Sequence, residues 1–241
     1  MVSCETMRFD VLTIFPKMFS GYFSESIIKR AQKKKLLDIR VHDLRQWATD
    51  KHHKVDDKPY GGGPGMVFKV APIARALRAL KYRMKNAECR IVLTSARGKQ
   101  FTAADARRLA KYKRLVIICG RYEGVDERVA KHLVDEEISI GPYVLTGGEL
   151  PAMVMIDSIA RQIPGVLGKS ESLEEARGGG FPTYTRPGVF EMQNAECRMQ
   201  KWKARPPKFR KAKIWRVPKV LLSGDHKKIV EWRRKYSILG W

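Results

Sequence analysis

Cysteine is scarce in this sequence, and its four cysteines are scattered. No two of them form a C-x-x-C pair, which argues against the common zinc-binding and thioredoxin-type patterns. Long apolar runs are lacking as well: no stretch of 18 or more apolar residues predicts a transmembrane helix, and no charged leader precedes an apolar segment at the amino terminus. We therefore expect reduced thiols, a cytoplasmic protein and no membrane partner.

Acidic residues are also in short supply. The sequence has 25 Asp and Glu residues against 48 Lys and Arg residues, a formal net charge of +23. Such a charge attracts polyanions, which favours nucleic acid as the partner. From Arg198 to Lys219, ten Lys or Arg residues and no acidic residue are interleaved with Trp202, Phe209 and Trp215. That composition is typical of nucleic-acid binding, and a solvated basic tail with three core aromatics is the alternative.

Predicted strands alternate with predicted helices over the first half of the chain. Arg8–Phe15 is rich in β-branched and aromatic residues, and the apolar run Leu115–Cys119 is typical of a strand buried on both faces. The alternation predicts an α/β fold with a mostly parallel sheet and helices on both faces. The other predicted strands are Ile39–Leu44 and Arg90–Thr94, and the predicted helices are Pro72–Leu80, Thr102–Tyr112 with Thr102 as N-cap, and Val125–Leu133.

Two stretches interrupt this alternation. Arg45–Met66 has almost no apolar period and holds four glycines and two prolines, which predicts a long loop of the kind that is usually functional or disordered. Gly165–Pro187 clusters glycine, proline and glutamate, which predicts an interdomain linker. The predicted organisation is a domain of residues 1–164, a linker of residues 165–187 and a small, helical, basic C-terminal domain of residues 188–241.

Glycine-bearing turns follow the predicted buried strands, at Cys119–Gly124 and at Ile140–Pro151. Open α/β sheets bind ligands at the carboxyl ends of their strands, and glycine lets the backbone approach a ligand closely. Two ordinary tight turns are the alternative interpretation. His52 and His53 are adjacent rather than one helical turn apart, so the sequence predicts no metal site.

Several longer strings are far more specific than their glycine content. They are IFPKMF at Ile14–Phe19, VDDKPYGGGPGM at Val55–Met66, CGRYEGVDERV at Cys119–Val129, SIGPYVLTGGELPAMVMID at Ser139–Asp157, IPGVLG at Ile163–Gly168, YTRP at Tyr184–Pro187 and VLLSGDHKKIVEWR at Val220–Arg233. With these strings in order along nearly the whole chain, the sequence resembles the bacterial tRNA (guanine-N1)-methyltransferases, a TrmD-type branch of the knotted SPOUT methyltransferases.

The resemblance implies an enzyme that transfers a methyl group from S-adenosylmethionine to N1 of the guanosine immediately 3′ of the tRNA anticodon, position 37. It implies a SPOUT-like trefoil knot in the C-terminal part of the catalytic domain, and a homodimer in which two subunits share each site. It also implies magnesium, for which the sequence offers no ligand constellation. The implied cofactor-binding residues are Gly120, Ile140, Gly141, Pro142, Tyr143, Val144, Leu145, Gly147, Gly148 and Pro151.

The catalytic residues carry over only in part. In the family an aspartate in the interdomain linker removes the N1 proton, and an arginine on the last helix of the knotted domain assists. The arginine matches Arg161, whereas the position of the aspartate falls on Ala176. We expect Glu175, and after it Glu174, to act as the base instead. The alternative is a catalytically impaired homologue that still binds tRNA.

The residues expected to bind the tRNA come from both predicted domains. Arg121 and Glu123 match the family's guanine-binding neighbourhood, although a charged pair in a turn is often structural. Relative to the family, Glu191–Arg216 resembles a basic insertion, and we expect it to take over tRNA contacts. The full expected set is Asp56, Arg121, Glu123, Arg198, Lys201 and Trp202.

Overall fold

The computed structural model describes residues 6–81, 88–167, 180–192 and 213–237. The chain divides into two compact units, the first formed by residues 1–173 and the second by residues 174–240. The predicted base residues Glu174 and Glu175, and the predicted tRNA-binding residues Arg198, Lys201 and Trp202, lie outside the described residues.

The first unit is built on a five-stranded parallel sheet with the strand order β2-β1-β6-β5-β7. This confirms the predicted α/β class and the mostly parallel sheet. A separate, smaller antiparallel sheet pairs β3 with β4, which come between β2 and β5 in the sequence. The strands are β1 Met7–Thr13, β2 Leu37–Asp43, β3 Asp56–Asp57, β4 Val67–Phe68, β5 Cys89–Gln100, β6 Arg114–Cys119 and β7 Glu136–Ser139.

Helices cover both faces of the sheet, as predicted, because the central strand β6 is apolar on both of its faces. In β6, Leu115 and Ile117 pack into one hydrophobic cluster, and Val116 and Ile118 pack into the other. Helices α1, α2, α4 and α6 contribute to the first cluster, and α3 and α5 to the second. The helices are α1 Lys17–Phe23, α2 Ser26–Lys33, α3 Val70–Ala79, α4 Ala103–Leu109, α5 Glu127–His132 and α6 Glu149–Arg161.

The strand order creates a topological switch point. The chain adds β2 on one side of β1, and later inserts β6 between β1 and β5. In such sheets the loops that leave neighbouring strands in opposite directions open a crevice at the carboxyl edge. Within β5, Thr94 and Lys99 both pair with Ile138, so residues 95–98 form an excursion at this edge.

The predicted loop Arg45–Met66 is not wholly irregular. Its first residues belong to a 3₁₀ helix, Leu44–Trp47, and Asp56–Asp57 pairs with Val67–Phe68 just after its end. Residues 58–66 contain four glycines with positive φ, a backbone conformation that residues with a side chain rarely adopt. We call residues 58–66 the Gly-rich loop.

The second unit contains a two-stranded antiparallel hairpin followed by two helices. The strands are β8 Val189–Met192 and β9 Lys213–Arg216, and the helices are α7 Lys219–Leu222 and α8 His226–Lys235. Asp225 caps α8 by accepting hydrogen bonds from the backbone N–H groups of Lys227 and Lys228. The hairpin departs from the predicted helical domain, because the ends of the basic insertion pair as strands. Among the described residues, no helix has both the length and the apolar character of a membrane span.

Candidate active site

An open cleft of about 1380 Å³ lies at the carboxyl ends of β5, β6 and β7. Its walls are the excursion in β5, residues 120–128 after β6, the segment between β7 and α6, the first residues of the Gly-rich loop, and residues on both sides of that loop. We call residues 120–124 the β6 turn and residues 140–148 the β7 loop. The cleft therefore lies where the topology of an open α/β sheet favours ligand binding.

The β7 loop is fixed against the β6 turn. The backbone N–H of Gly148 donates to the carbonyl of Gly120 at 2.8 Å, and Arg121 pairs with Gly147 in an isolated antiparallel bridge. A Cβ on Gly148 would collide with Oγ1 of Thr94 and lie 2.9 Å from both Cα of Cys119 and N of Gly120. Only glycine therefore permits this approach of the two backbones.

A buried ionic network supports the same junction. Glu149, the first residue of α6, is 1% exposed, and its carboxylate accepts hydrogen bonds from Oγ1 of Thr13 at 2.8 Å and Nε of Arg121 at 3.0 Å. The Arg121 guanidinium also lies 4.6 Å from the centre of the Phe15 ring. Because an unpaired buried carboxylate is costly, this network ties β1, the β6 turn and α6 into one frame.

The thiol of Cys119 lies close to this network, and its raised pKa favours the protonated, less reactive form. Complete burial, and then the Glu149 carboxylate, raise the pKa of Cys119 well above its usual value. Cys89 is buried and free as well, and burial raises its pKa to about 11. These two cysteines agree with the expected reduced thiols, while Cys4 and Cys197 lie outside the described residues.

The Gly-rich loop closes one side of the cleft against the β6 turn. Glu123 donates its backbone N–H to the carbonyl of Met66 at 3.1 Å, and a Cβ on Gly65 would lie 2.5 Å from Oε1 of Glu123. Tyr122 has a φ of +59° and packs edge-on against Phe68, with ring centres 5.7 Å apart. A non-glycine residue in this strained conformation is a feature that clusters at functional sites.

Ion pairs hold the opposite rim together. Arg97, in the excursion of β5, donates a hydrogen bond to Glu127 at the start of α5 and lies 3.7 Å from Oε2 of Glu137 in β7. The hydrogen bond to Glu127 raises the pKa of Arg97 and lowers the pKa of Glu127. Three elements around the cleft are therefore joined through one guanidinium.

Most of the expected cofactor-binding residues line the cleft. They are Gly120, Ile140, Tyr143, Val144, Leu145, Gly147, Gly148 and Pro151. Gly141 and Pro142 belong to the same loop but not to the cleft wall. A Cβ on Gly141 would collide with the Tyr143 ring, so this glycine keeps the loop tight behind the lining residues.

The other expected site residues are more dispersed. Arg121 and Glu123 line the cleft, but the Nε atom of Arg121 is engaged by Glu149. Asp56 lies one residue before the lining residue Asp57, and it pairs with Phe68. Arg161 lies at the other end of α6 from Gly148 and does not line the cleft of its own chain.

The sequence did not identify three buried residues that hold the β6 turn and the start of α6 in place: Glu149, Thr13 and Thr94. From sequence alone, a glutamate in the first turn of a helix predicts a favourable charge at the helix N-terminus and gives no sign that the carboxylate is buried. The one available signal was its position directly after two consecutive glycines, where backbones approach closely. Within the described residues, no group of three or more His, Cys, Asp or Glu side chains is arranged to hold a metal ion.

Comparison with known proteins gives one consistent family. A family model described as tRNA (Guanine-1)-methyltransferase TrmD matches residues 7–239. A tRNA (guanine-N(1)-)-methyltransferase of Geobacter metallireducens is 49% identical over 236 residues, which cover 96% of this chain and 86% of the relative. Proteins of the same name from Chloroflexus aggregans and Thermomicrobium roseum are 47% and 46% identical, over 95% and 96% of this chain and 82% and 79% of their own lengths.

Proposed function

Since this chain belongs to the TrmD family of tRNA (guanine-1)-methyltransferases, we propose that it transfers a methyl group from S-adenosylmethionine to N1 of guanosine 37 in tRNA. The observation that carries the proposal is the cleft at the switch point, whose β7 loop is fixed against the β6 turn through Gly148. The family match supplies the reaction, and the geometry supports a ligand at this edge of the sheet.

The residues of the cleft fit an adenosyl ligand. Gly147 and Gly148 line the cleft beside Ile140 and Leu145, and a Cβ on either glycine would collide with neighbouring protein atoms, so only glycine lets this backbone lie so close to the β6 turn. Backbone N–H and C=O groups can recognise an adenine edge, and apolar side chains can cover its ring. When bound, the donor supplies an electrophilic methyl group on its sulfonium sulfur.

The proposed chemistry of this chain is proton removal and charge stabilisation. Guanine N1 must lose its proton to attack the methyl carbon, and a carboxylate is a suitable base. We assign this role to Glu175, with Glu174 as second choice, because the position of the family's aspartate is held by Ala176 in this chain. Arg161 would stabilise the negative charge that develops on guanine O6. Magnesium, which the resemblance also implies, is assigned no residue.

The length of α6 supports a homodimer with shared sites. Gly148 is the N-cap of this helix of 13 residues at the cleft, and a rise of about 1.5 Å per residue puts Arg161 about 20 Å from it. A second subunit could bring its own Arg161 to the cleft. The half-exposed side chains Met18 and Tyr22 on α1, and Val154 on α6, offer apolar surface for that subunit to cover.

Subunit mixing tests the shared site. An Arg161→Ala subunit and a Gly148→Val subunit should each be inactive as homodimers. If two subunits build each site, heterodimers regain activity, because one of their two sites combines an intact cleft with an intact arginine. A mixture that stays inactive, although heterodimers form, would contradict sharing.

The second unit and the basic insertion supply the proposed tRNA contacts. Residues 193–212 hold seven Lys or Arg residues and one Glu, a composition suited to phosphate neutralisation. We propose Arg198, Lys201 and Trp202 as contacts there, and Asp56, Arg121 and Glu123 as contacts near the guanine. Deletion of Arg198–Arg216 should lower both tRNA affinity and its salt dependence, and unchanged values would refute the role.

Three finer features remain part of the proposal. The first is the trefoil knot, which the family match supports. The second is the linker at residues 165–187 between a catalytic domain and a tRNA-binding domain. The third is the cytoplasm as the place of action, where tRNA is the available substrate.

The decisive experiment is methyl transfer from labelled S-adenosylmethionine to a tRNA transcript with guanosine 37, with adenosine 37 as control. N1-methylguanosine should form only in the first transcript. Lack of product would favour the alternative, a catalytically impaired tRNA-binding homologue, for which Ala176 is the specific observation. With an active enzyme, Glu174→Gln and Glu175→Gln measured separately identify the base, and full activity in both variants discards the assignment.

A further inference from the structure

The hairpin of the second unit carries a stacked pair of aromatic side chains. Phe190 and Trp215 are direct partners in the antiparallel register of β8 and β9, so they lie on the same face. Their ring centres are 5.6 Å apart and their planes differ by 26°. Phe190 is 49% exposed and Trp215 is 52% exposed, so half of each side chain meets solvent.

The two aromatic side chains are not exposed because the other face of the hairpin is buried. Val189 and Ile214, which point to the opposite face, are also half-exposed, at 43% and 47%. Two-stranded hairpins are marginally stable in water, and burial of one face is the usual way to stabilise them. Phe190 and Trp215 therefore do not serve as core anchors of the described part of the second unit, and a flat apolar surface is left open.

The charge around the hairpin identifies the chemistry of a partner. Residues 180–192 and 213–237 hold nine Lys or Arg residues against three acidic ones, and the segment between them adds seven Lys or Arg residues and one Glu. Arg216, next to Trp215 in β9, is exposed on the opposite face of the strand pair. A partner complementary to both features has negative charge and flat rings. Single-stranded RNA combines the two, because its bases stack on aromatic side chains while its phosphates meet cations.

We propose that Phe190 and Trp215 form a stacking platform for an unpaired base of the tRNA substrate. The inference rests on the proposed function for the identity of the RNA. Unpaired bases are available in the anticodon loop, which must also reach the cleft. The platform would add affinity that depends on exposed bases, in addition to the salt-dependent contribution of the lysines and arginines.

The test compares Trp215→Ala with Ile214→Ala, a matched truncation of a half-exposed apolar residue on the other face of the same strand. Affinity for an anticodon stem-loop is measured at several salt concentrations. Loss of stacking should weaken binding by roughly 5- to 150-fold in Trp215→Ala, without changing the slope of log K against log salt, since no cation is removed. Ile214→Ala should bind like the parent, and Trp215→Phe should retain most of the affinity.

A fully paired RNA of the same length is the second probe. Because paired bases offer no free face, Trp215→Ala should not weaken its binding. An equal loss on both RNAs overturns the platform, and so does unchanged stem-loop affinity in Trp215→Ala. If stability falls while affinity stays, the ring belongs to the fold, or to an interface with protein that size measurement would reveal, and the proposal is wrong.

Two readouts separate this inference from the proposed function. Quenching of tryptophan emission by the stem-loop, taken as the difference between the parent and Trp215→Phe, reports stacking without any methyl transfer. Methyl transfer by the parent at saturating tRNA reports the reaction independently of the platform. Quenching without methylated product would support the platform and contradict the proposed reaction. Product without quenching would support the reaction and overturn the platform.

Discussion

Among the glycines that the structure describes, Gly148 is the one at which an added Cβ would lie nearest to another atom. Substitution by alanine would drive a methyl group into Thr94 and into the backbone of the β6 turn. Backbone atoms cannot swing aside, so we expect Gly148→Ala to lower the free energy of unfolding by about 1–3 kcal/mol, the usual effect of overpacking. Displacement of the β7 loop should also weaken binding of S-adenosylhomocysteine at least tenfold. Denaturant titration and calorimetry measure the two effects.

Gly21→Ala is the matched control, because a Cβ at Gly21 in α1 has no atom within 4 Å. Alanine is a better helix former than glycine, so this variant should be neutral or slightly more stable, with unchanged ligand binding. Equal behaviour of the two variants would show that the close approach at Gly148 is not needed for the site.

The contact between Glu149 and Arg121 makes a second prediction. Glu149→Gln keeps the shape but removes the charge that Arg121 meets inside the protein, and we expect a loss of about 1–3 kcal/mol in unfolding free energy. Arg121→Gln should cost a similar amount. In the double variant the losses should not add, because the two side chains act as one unit. Fully additive losses in denaturant unfolding would mean that the pair is not coupled.

Residue identity could be inferred from the sequence only where a local rule applied. The glycines of the β7 loop follow a buried strand, and the sequence therefore pointed to them as ligand-binding candidates. Glu149 was missed because its partners are distant in sequence: Thr13 is 136 residues away and Arg121 is 28 residues away. No periodicity or spacing rule joins such residues before the strand order is known.

At the scale of elements, the start of α4 is the most fully specified. Thr102 was predicted as its N-cap, and it forms a capping box with Asp105. Asp105 is buried, which by itself raises its pKa, but hydrogen bonds from Lys99, Thr102 and Arg108 outweigh burial and lower the pKa from 3.8 to about 2. The carboxylate is thus stabilised in the folded protein relative to the unfolded chain.

This shift predicts a pH-dependent stability. Since the folded pKa is depressed, the contribution of Asp105 is fully present above about pH 4 and is lost as pH falls towards 2. Asp105→Asn should therefore cost roughly 2 kcal/mol at neutral pH, with the difference from the parent shrinking between pH 4 and pH 2. Thr102→Ala, which weakens the cap without changing a titratable group, should cost about 1 kcal/mol with little pH dependence. A pH-independent difference in Asp105→Asn would exclude the ionic contribution.

The sequence predicted the inner elements better than the peripheral ones. The predicted strand Leu115–Cys119 agrees with β6 to within one residue, because a strand buried on both faces is apolar throughout. The predicted strand Arg90–Thr94 is only the first half of β5, which resumes after the excursion at residues 95–98. The pairing of β8 with β9 joins segments 20 residues apart, and no local signal marks it.

At the scale of the whole molecule, topology was the hardest property to infer. Alternation of strands and helices predicts a parallel sheet, but it does not tell that β6 inserts between β1 and β5. That insertion brings the β6 turn beside the β7 loop and thereby creates the cleft. The sequence could therefore nominate both glycine-bearing segments without showing why they meet.

Charge is distributed unevenly over the molecule, and this leads to the last prediction. Residues 168–241 hold 18 Lys or Arg residues against 7 Asp or Glu residues, whereas residues 1–167 hold 30 against 18. Both hydrophobic clusters and the cleft lie within residues 1–167. A chain ending at residue 167 should therefore fold and bind S-adenosylhomocysteine like the parent. Its tRNA affinity should fall, with a smaller slope of log K against log salt, because phosphate-neutralising cations are lost.

The same truncation removes the proposed base residues, so binding rather than turnover is the proper measurement. Replacement of residues 168–241 by a neutral linker of equal length controls for chain length alone, and it should behave like the truncated chain. A truncated protein that kept parental tRNA affinity and salt slope would assign recognition to the first unit. The 30 Lys and Arg residues within positions 1–167 would then carry the phosphate contacts, and the basic C-terminal residues would need another role.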